Sequence, residues 1–256
     1  MVMDVDLHDR VALVTGGTRG VGAGISAALV DAGARVVACA RTEPERLPDR
    51  VEFRACDVRA ADQVIALVAG LVADFGSLDV LVNNAGGSPF RLASDADPEF
   101  VRKVIELNLV APIVVAQAAN RVMQGQPGGG SIVMIGSVSG TRPSPGTAAY
   151  GAAKAGLAHV TTSLAVEWAP RVRVNAVVAG MVQTEQAHQH YGDTDGIAAV
   201  GRTVPLGRLA TPREIGQCAA FLASPLASYL TGTTVVAHGG GERPAFLDAA
   251  NVGVHR

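Results

Sequence analysis

Val11-Ala-Leu-Val-Thr15-Gly16-Gly-Thr18-Arg19-Gly20-Val21-Gly22 is the stretch whose reading decides the fold of this chain. Its opening run is continuously apolar or β-branched rather than alternating, as expected of a parallel strand covered on both faces. Glycines follow, which permit a tight turn and a close approach of backbone to a phosphate. A helical pattern begins at once, so free N–H groups and the positive end of a helix dipole face the turn. The spacing Thr-Gly-x-x-x-Gly-x-Gly is looser than the common G-x-G-x-x-G fingerprint. Alone it also describes any glycine-rich turn; its place after a first strand and before a helix supplies the context a phosphate cradle requires.

Working outward, short β-branched runs alternate with longer amphipathic stretches. The pattern predicts strands over 11–15, 35–39, 51–55, 80–83, 131–136, 172–178 and 234–237. It predicts helices over 20–31, 60–75, 99–123, 148–168 and 212–223, with Pro98 and Pro212 placed for first helical turns. The βαβα alternation predicts an α/β fold, a single-domain Rossmann-like doubly wound parallel sheet with helices on both faces. There is no internal repeat and no linker long enough to divide the chain. The reading is one domain over 1–256, with a core of about 10–240 and a tail at 242–256.

Hydrophobic residues make up 48% of the 256 residues and charged residues 17%, so a large core is available. A net charge of −2 gives no general attraction to nucleic acid or to an anionic membrane, and few aromatics are present for base stacking. Cys39, Cys56 and Cys218 are scattered, as for reduced thiols rather than a disulfide framework or a zinc site, and no metal is expected. The amino terminus carries acids where a leader would carry bases, and the longest apolar run (64–72) is too short to span a bilayer. A cytoplasmic protein is expected.

The second strand runs into Ala40-Arg41, with no acid until Glu43. In dinucleotide folds an acid near this point binds a ribose 2′-hydroxyl, whereas arginine receives a 2′-phosphate. Arg41, helped by Arg19 in the glycine loop, favours NADP(H) over NAD(H); both arginines also read as plain surface charges. Asp57-Val58 follows the third strand, where a short acid meets an adenine edge or caps a helix. Asn83-Asn84-Ala85-Gly86 follows the fourth, where small residues permit packing against a cofactor. Finally, Tyr150 and Lys154 stand four residues apart on a predicted helix, hence on one face. A cation there should lower the phenol's pKa from about 10 toward neutrality and make it a usable acid or base. An isolated Tyr-x-x-x-Lys is as readily a solvated helix face.

Together, Thr15-Gly16, Gly20 and Gly22, Asp57, Asn83 to Gly86, Asn108, Ser137, Tyr150 and Lys154 resemble the short-chain dehydrogenase/reductase family, in family order and spacing over residues 10 to about 240. The resemblance implies an NAD(P)-dependent oxidoreductase interconverting a ketone and a secondary alcohol. Tyr150 would be its general acid or base. Lys154 would lower the tyrosine's pKa and hold the nicotinamide ribose. Ser137 would bind the substrate oxygen, and Asn108 would hold a water that relays protons to Lys154; Asn108 also reads as a buried amide satisfying backbone. The cofactor set it implies is Gly16, Thr18, Arg19, Gly20, Val21, Gly22, Arg41, Asp57, Val58, Asn84, Ala85, Gly86, Tyr150, Lys154, Gly180, Val182 and Thr184.

Two departures stand out. Ala179 replaces the family's proline before Gly180, which is expected to loosen the contacts made there, and Ala237-His238 replaces a common acid; His238 is given no catalytic role. The segment 183–204 is expected to form a lid, with Gly140 to Gly146 as another wall and Arg142 able to meet an anionic group. The substrate is a ketone or alcohol, apolar or an acyl thioester. The alternatives are 3-oxoacyl-acyl-carrier-protein reductase and a non-catalytic cofactor-binding regulator. Enoyl reductases of the superfamily use a wider tyrosine-to-lysine spacing, which disfavours double-bond reduction. The family's habit implies a homotetramer through helices 99–123 and 148–168 and the last strand, with the tail covering a neighbouring subunit's site.

Overall fold

The structure, a computed structural model, describes residues 4–250. Strands β1 (Val11–Thr15), β2 (Arg35–Ala40), β3 (Val51–Ala55), β4 (Val80–Asn83), β5 (Gly130–Ser137), β6 (Val172–Ala179) and β7 (Thr234–Ala237) form one sheet in the order β3-β2-β1-β4-β5-β6-β7. Every neighbouring pair is parallel. Helices α1 (Gly20–Asp31), α2 (Ala61–Phe75), α3 (Pro98–Ile105), α4 (Ala111–Gly125), α5 (Ala148–Trp168) and α8 (Pro212–Ala223) supply the longer connections. The short α6 (His188–Tyr191) and α7 (Thr194–Thr203) fill the expected lid, and α9 (Ala245–Ala249) lies in the tail.

The continuous apolar runs are explained by two cores, one on each face of the sheet. Leu13 of β1 joins Leu81, Ile132 and Met134 against α2, α4 and α5. Its neighbours Ala12 and Val14 join Val82 and Val133 on the opposite face, against α1 and α8. Successive side chains point to opposite faces, so a strand covered on both must be apolar at every position. On the second face α1 and α8 touch closely. A Cβ on Gly216 would lie 2.4 Å from the Gly24 carbonyl oxygen, so only glycine allows this crossing. A reciprocal capping box starts α8, where Thr211 and Glu214 bond each other's backbone N–H.

The helix expected over 99–123 is interrupted. Residues Glu106–Val110 form a π-helical turn between α3 and α4, and the Ala111 N–H donates to the Glu106 carbonyl five residues back. Pro112 supplies the reason: it has no N–H for the carbonyl of Asn108, four residues earlier, and its ring crowds that carbonyl, so the coil widens there. No helix among the described residues is long and apolar enough to cross a membrane.

Candidate active site

Successive strands progress outward from β1 to β3, and then from β4 to β7 in the opposite direction, which opens a crevice at the carboxyl ends of β1 and β4. The glycine turn stands at its edge. Gly16 and Gly20 have φ of +62° and +52°, in the left-handed region that glycine adopts without strain. The turn is pinned from β4. Thr15 Oγ1 accepts the N–H groups of Asn84 and Ala85, both at 3.0 Å. The Asn84 amide donates back to the carbonyls of Thr15 at 3.0 Å and Gly16 at 3.1 Å. The Asn84 side chain therefore shapes the cradle, its donors spent on protein. Thr18 is half-buried in the turn, and Gly22 lies against the Gly16 carbonyl. Val21 packs on the core shared by α1 and α8.

Helix α1 begins without a cap of its own: Arg19 contributes no side-chain bond, and its first turn holds no acid. The Gly20 N–H is taken by a distant carboxylate instead, Glu185 Oε1 at 2.8 Å. Glu185 was not among the expected site residues, since nothing in its sequence neighbourhood ties it to a loop 165 positions away. Thr184 arrives with it, its methyl 3.5 Å from where a Gly20 Cβ would stand. Gly180 N–H donates to Ala237 at 2.9 Å, and Val182 bridges to Ala210. Ala179 extends β6 to pair with Ala237 and Ser137, so the segment missing its family proline is held by the sheet instead.

At the far end of the cradle Arg19 and Arg41 are exposed. Asp57, expected as an adenine acceptor or a helix cap, is paired with Arg59. Its carboxylate accepts from Arg59 Nε at 2.9 Å and from the Arg59 N–H at 3.1 Å, while α2 starts from Ala60. This pairing, with Arg41 contributing, holds the Asp57 carboxyl down to about 2. Arg59, two residues on, is the signal that was overlooked. Val58 is buried.

Ser137 ends β5, Tyr150 and Lys154 lie on the first turns of α5, and a short turn (Val138–Gly140) joins the two elements closely. Gly151 makes this possible, because a Cβ there would sit 2.7 Å from the Ser139 carbonyl oxygen. Lys154 Nζ is buried, lies 5.6 Å from the centroid of the Tyr150 ring, and donates to the Ile135 carbonyl at 2.8 Å. Burial pushes its ammonium down from 10.5 to about 8. Burial also pushes the Tyr150 phenol up, outweighing the Ser137 hydroxyl, which favours the phenolate, and the nearby Tyr191 adds to the rise. The expected fall toward neutrality is thus reversed: withdrawal from water disfavours both charged forms. A phenol that keeps its proton at neutral pH is the form able to donate.

Asn108 is fully buried in the π-helical turn. Its Oδ1 accepts from Gly87 N–H at 2.8 Å, and its amide donates to the carbonyls of Gly87 and Val104, each at 2.9 Å. The side chain satisfies backbone rather than reaching toward Lys154. A Cβ on Gly86 would lie 2.6 Å from Asn108 Oδ1 and 3.4 Å from Lys154 Nζ, which locates all three at one wall.

A cavity of about 190 Å³ lies just past the end of β5, lined by Val138, Thr141, Arg142, Met181, His238 and Glu242. Arg142 Nη2 meets Glu242 Oε1 at 2.6 Å. His238, half-buried, lines this cavity. Glu242, the first residue of the expected tail, lines this chain's own cavity; residues 251–256 lie outside the described residues.

A glycine cradle at the switch point of a parallel sheet, facing a Ser–Tyr–Lys trio, defines the nucleotide-dependent oxidoreductases that work on carbonyl oxygens. Comparison with known proteins narrows the class. A family model described as enoyl-(acyl carrier protein) reductase matches residues 16–242. An uncharacterized oxidoreductase of Mycobacterium tuberculosis is 38% identical over 250 residues, covering 94% of this chain and 95% of the relative. A 3-oxoacyl-acyl-carrier-protein reductase of Vibrio cholerae is 37% identical over 243 residues, covering 92% and 98%. The solved aldohexose dehydrogenase of Thermoplasma acidophilum superposes with a TM-score of 0.87 at 29% identity, covering 97% and 98%. The chain belongs to the short-chain dehydrogenase/reductase family. It is an NAD(P)-dependent oxidoreductase acting on CH–OH groups and ketones.

Proposed function

We propose that the chain reduces a small ketone, or oxidises the matching secondary alcohol, with preference for NADP(H) and with Tyr150 handling the proton. The observation that carries this reading is the meeting of Ser137, Tyr150 and Lys154 at the end of β5 and the first turns of α5, in a sheet whose first strand ends in a glycine turn. The cradle suits a pyrophosphate: its helix lacks an internal cap, and a carboxylate already sits on the Gly20 N–H as an anion would. When bound, the nicotinamide supplies hydride transfer.

The chain's own residues do the rest. Gly16, Thr18, Gly20, Val21 and Gly22 hold the pyrophosphate through backbone. Ala85, Gly86, Gly180, Val182 and Thr184 line the path toward the nicotinamide, with Asn84 fixing the turn. Val58 and the backbone of Asp57 border the adenine. Arg41 and Arg19 would receive a 2′-phosphate, and Arg59 offsets the charge of the nearby Asp57 carboxylate. Ser137 Oγ binds the substrate oxygen and stabilises charge growing on it. Tyr150 Oη gives its proton to that oxygen in reduction and takes one from it in oxidation. Lys154, charged below about pH 8, stabilises the phenolate left behind. Asn108 acts as a positioning residue, holding Gly86 and Gly87 against Lys154.

A cavity of about 190 Å³ falls below the roughly 300–1,000 Å³ typical of drug-sized ligands, and Val138 and Met181 line it beside the mutually paired Arg142 and Glu242, which suits a small ketone better than a steroid. The four-residue spacing of Tyr150 and Lys154 supports carbonyl over double-bond reduction. The second reading, 3-oxoacyl-acyl-carrier-protein reductase, is favoured by the Vibrio cholerae relative. We further propose a cytoplasmic homotetramer. Support comes from the exposed apolar side chains of Val110 and Val166 on the helical layer, and of Tyr229 and Val236 beside the edge strand β7.

Following the reduced-nicotinamide absorbance with both cofactors, over small ketones, acyl thioesters and enoyl thioesters, tests the reading. Turnover of enoyl thioesters alone would overturn it, and acyl thioesters far ahead of free ketones would select the second reading. Arg41→Ala should weaken NADPH binding about tenfold, as for loss of one exposed charge-assisted contact, and leave NADH unchanged. Equal losses would remove the 2′-phosphate assignment.

A further inference from the structure

The contact between Glu185 and Gly20 has a consequence for the cradle. We infer that Glu185 is an internal competitor of the cofactor's pyrophosphate, a lid carboxylate that occupies the phosphate donor until the nucleotide displaces it. The inference rests on the nucleotide reading above.

Three observations support it. The first N–H of α1 is the donor a pyrophosphate needs, and Glu185 Oε1 holds it at 2.8 Å. The helix has no capping side chain and no first-turn acid, so this carboxylate is the anion satisfying that end. Finally, Glu185 belongs to the lid rather than to the cradle. It follows Thr184, which packs on Gly20, and its carbonyl oxygen lies 3.1 Å from His188 Nδ1 at the start of α6.

One N–H cannot serve two anions fully, and a carboxylate beside a pyrophosphate repels it. The nucleotide therefore binds the fraction of molecules in which Glu185 has let go, and its apparent affinity falls by that fraction. Glu185 is exposed, so the side chain has room to swing into water. Arriving cofactor thus frees the first residues of the lid from the glycine turn, which couples nucleotide entry to opening of the lid toward the substrate cavity. A contact that simply fastens the lid over bound cofactor predicts the opposite sign, because its loss would weaken binding.

Calorimetric titration of NADP+ and NAD+ decides between them, using the full chain, Glu185→Ala and Glu185→Gln. The alanine removes both charge and acceptor, while the glutamine keeps the acceptor and removes only the charge. Glu167→Gln serves as a control for bulk charge, since it is exposed and roughly 25 Å along α5 from Tyr150. Both Glu185 variants should bind the preferred nucleotide about two- to fivefold more tightly, the scale of an anion at a helix N-terminus, with the control unchanged. Unchanged or weaker binding by Glu185→Ala, or equal tightening by the control, would overturn the inference. Failure of both nucleotides to bind the unaltered chain would overturn the nucleotide reading itself.

Discussion

Tyr150 and Lys154 show how far a residue's chemistry depends on what surrounds it. The pair's spacing on one helix face follows from the sequence, but the direction of the tyrosine's shift does not. Both groups are withdrawn from water, and the phenol rises where an exposed pair would let it fall. Tyr150→Phe should abolish turnover while leaving nucleotide affinity within about twofold; substantial residual rate in steady-state assays would sink the general-acid assignment. Lys154 also leaves a mark on stability. Its folded pKa of about 8 lies below the 10.5 of the unfolded chain, so between those values the unfolded state holds more protons. Stability attributable to this group therefore rises with pH across that window and is lost as pH falls through about 8. Relative to Lys154→Met, the unaltered chain should gain up to about 3 kcal/mol between pH 8 and 10.5, read from denaturant midpoints. A flat difference would show that the ammonium is not desolvated.

Among elements, the interrupted helix is the instructive case. Periodicity alone reads 99–123 as one helix, because apolar spacing does not register a single missing N–H. Pro112 was in plain view, four residues after Asn108, and its effect is to widen the coil where the buried amide must turn inward. The crossing of α1 and α8 is the converse, a contact no local pattern announces. Gly24 and Gly216 lie 192 positions apart, and a Cβ on either would enter the backbone of the other helix. Gly216→Ala should cost about 1–3 kcal/mol by overpacking, with a drop of several degrees in the thermal midpoint. Because α1 carries the phosphate cradle, nucleotide binding should weaken with it; an unchanged melting curve would show that the helices yield freely.

For the whole molecule, strand order and closure matter most. The βαβα alternation predicts a parallel doubly wound sheet, and the sheet is parallel with its reversal at β1 and β4. The tail is expected over a neighbour's site, and its first residue, Glu242, pairs with Arg142 at the cavity of its own chain. Removing 242–256 should leave the mass in solution and nucleotide affinity unchanged and raise the ketone KM about fivefold, the upper range for an exposed ion pair. A lower mass by sedimentation would mean that the tail binds subunits together.

By itself the sequence determined the layered fold, the cradle and the trio, because continuous apolar runs, glycine turns and one-face helical spacing are local and periodic. Only the tertiary structure decided that Glu185 sits on the phosphate donor, that Arg59 claims Asp57, and that Glu242 and His238 enclose the cavity. Each of these joins side chains through space after the sheet has closed. Their energies depend on a distance and a degree of burial that no neighbouring residue encodes.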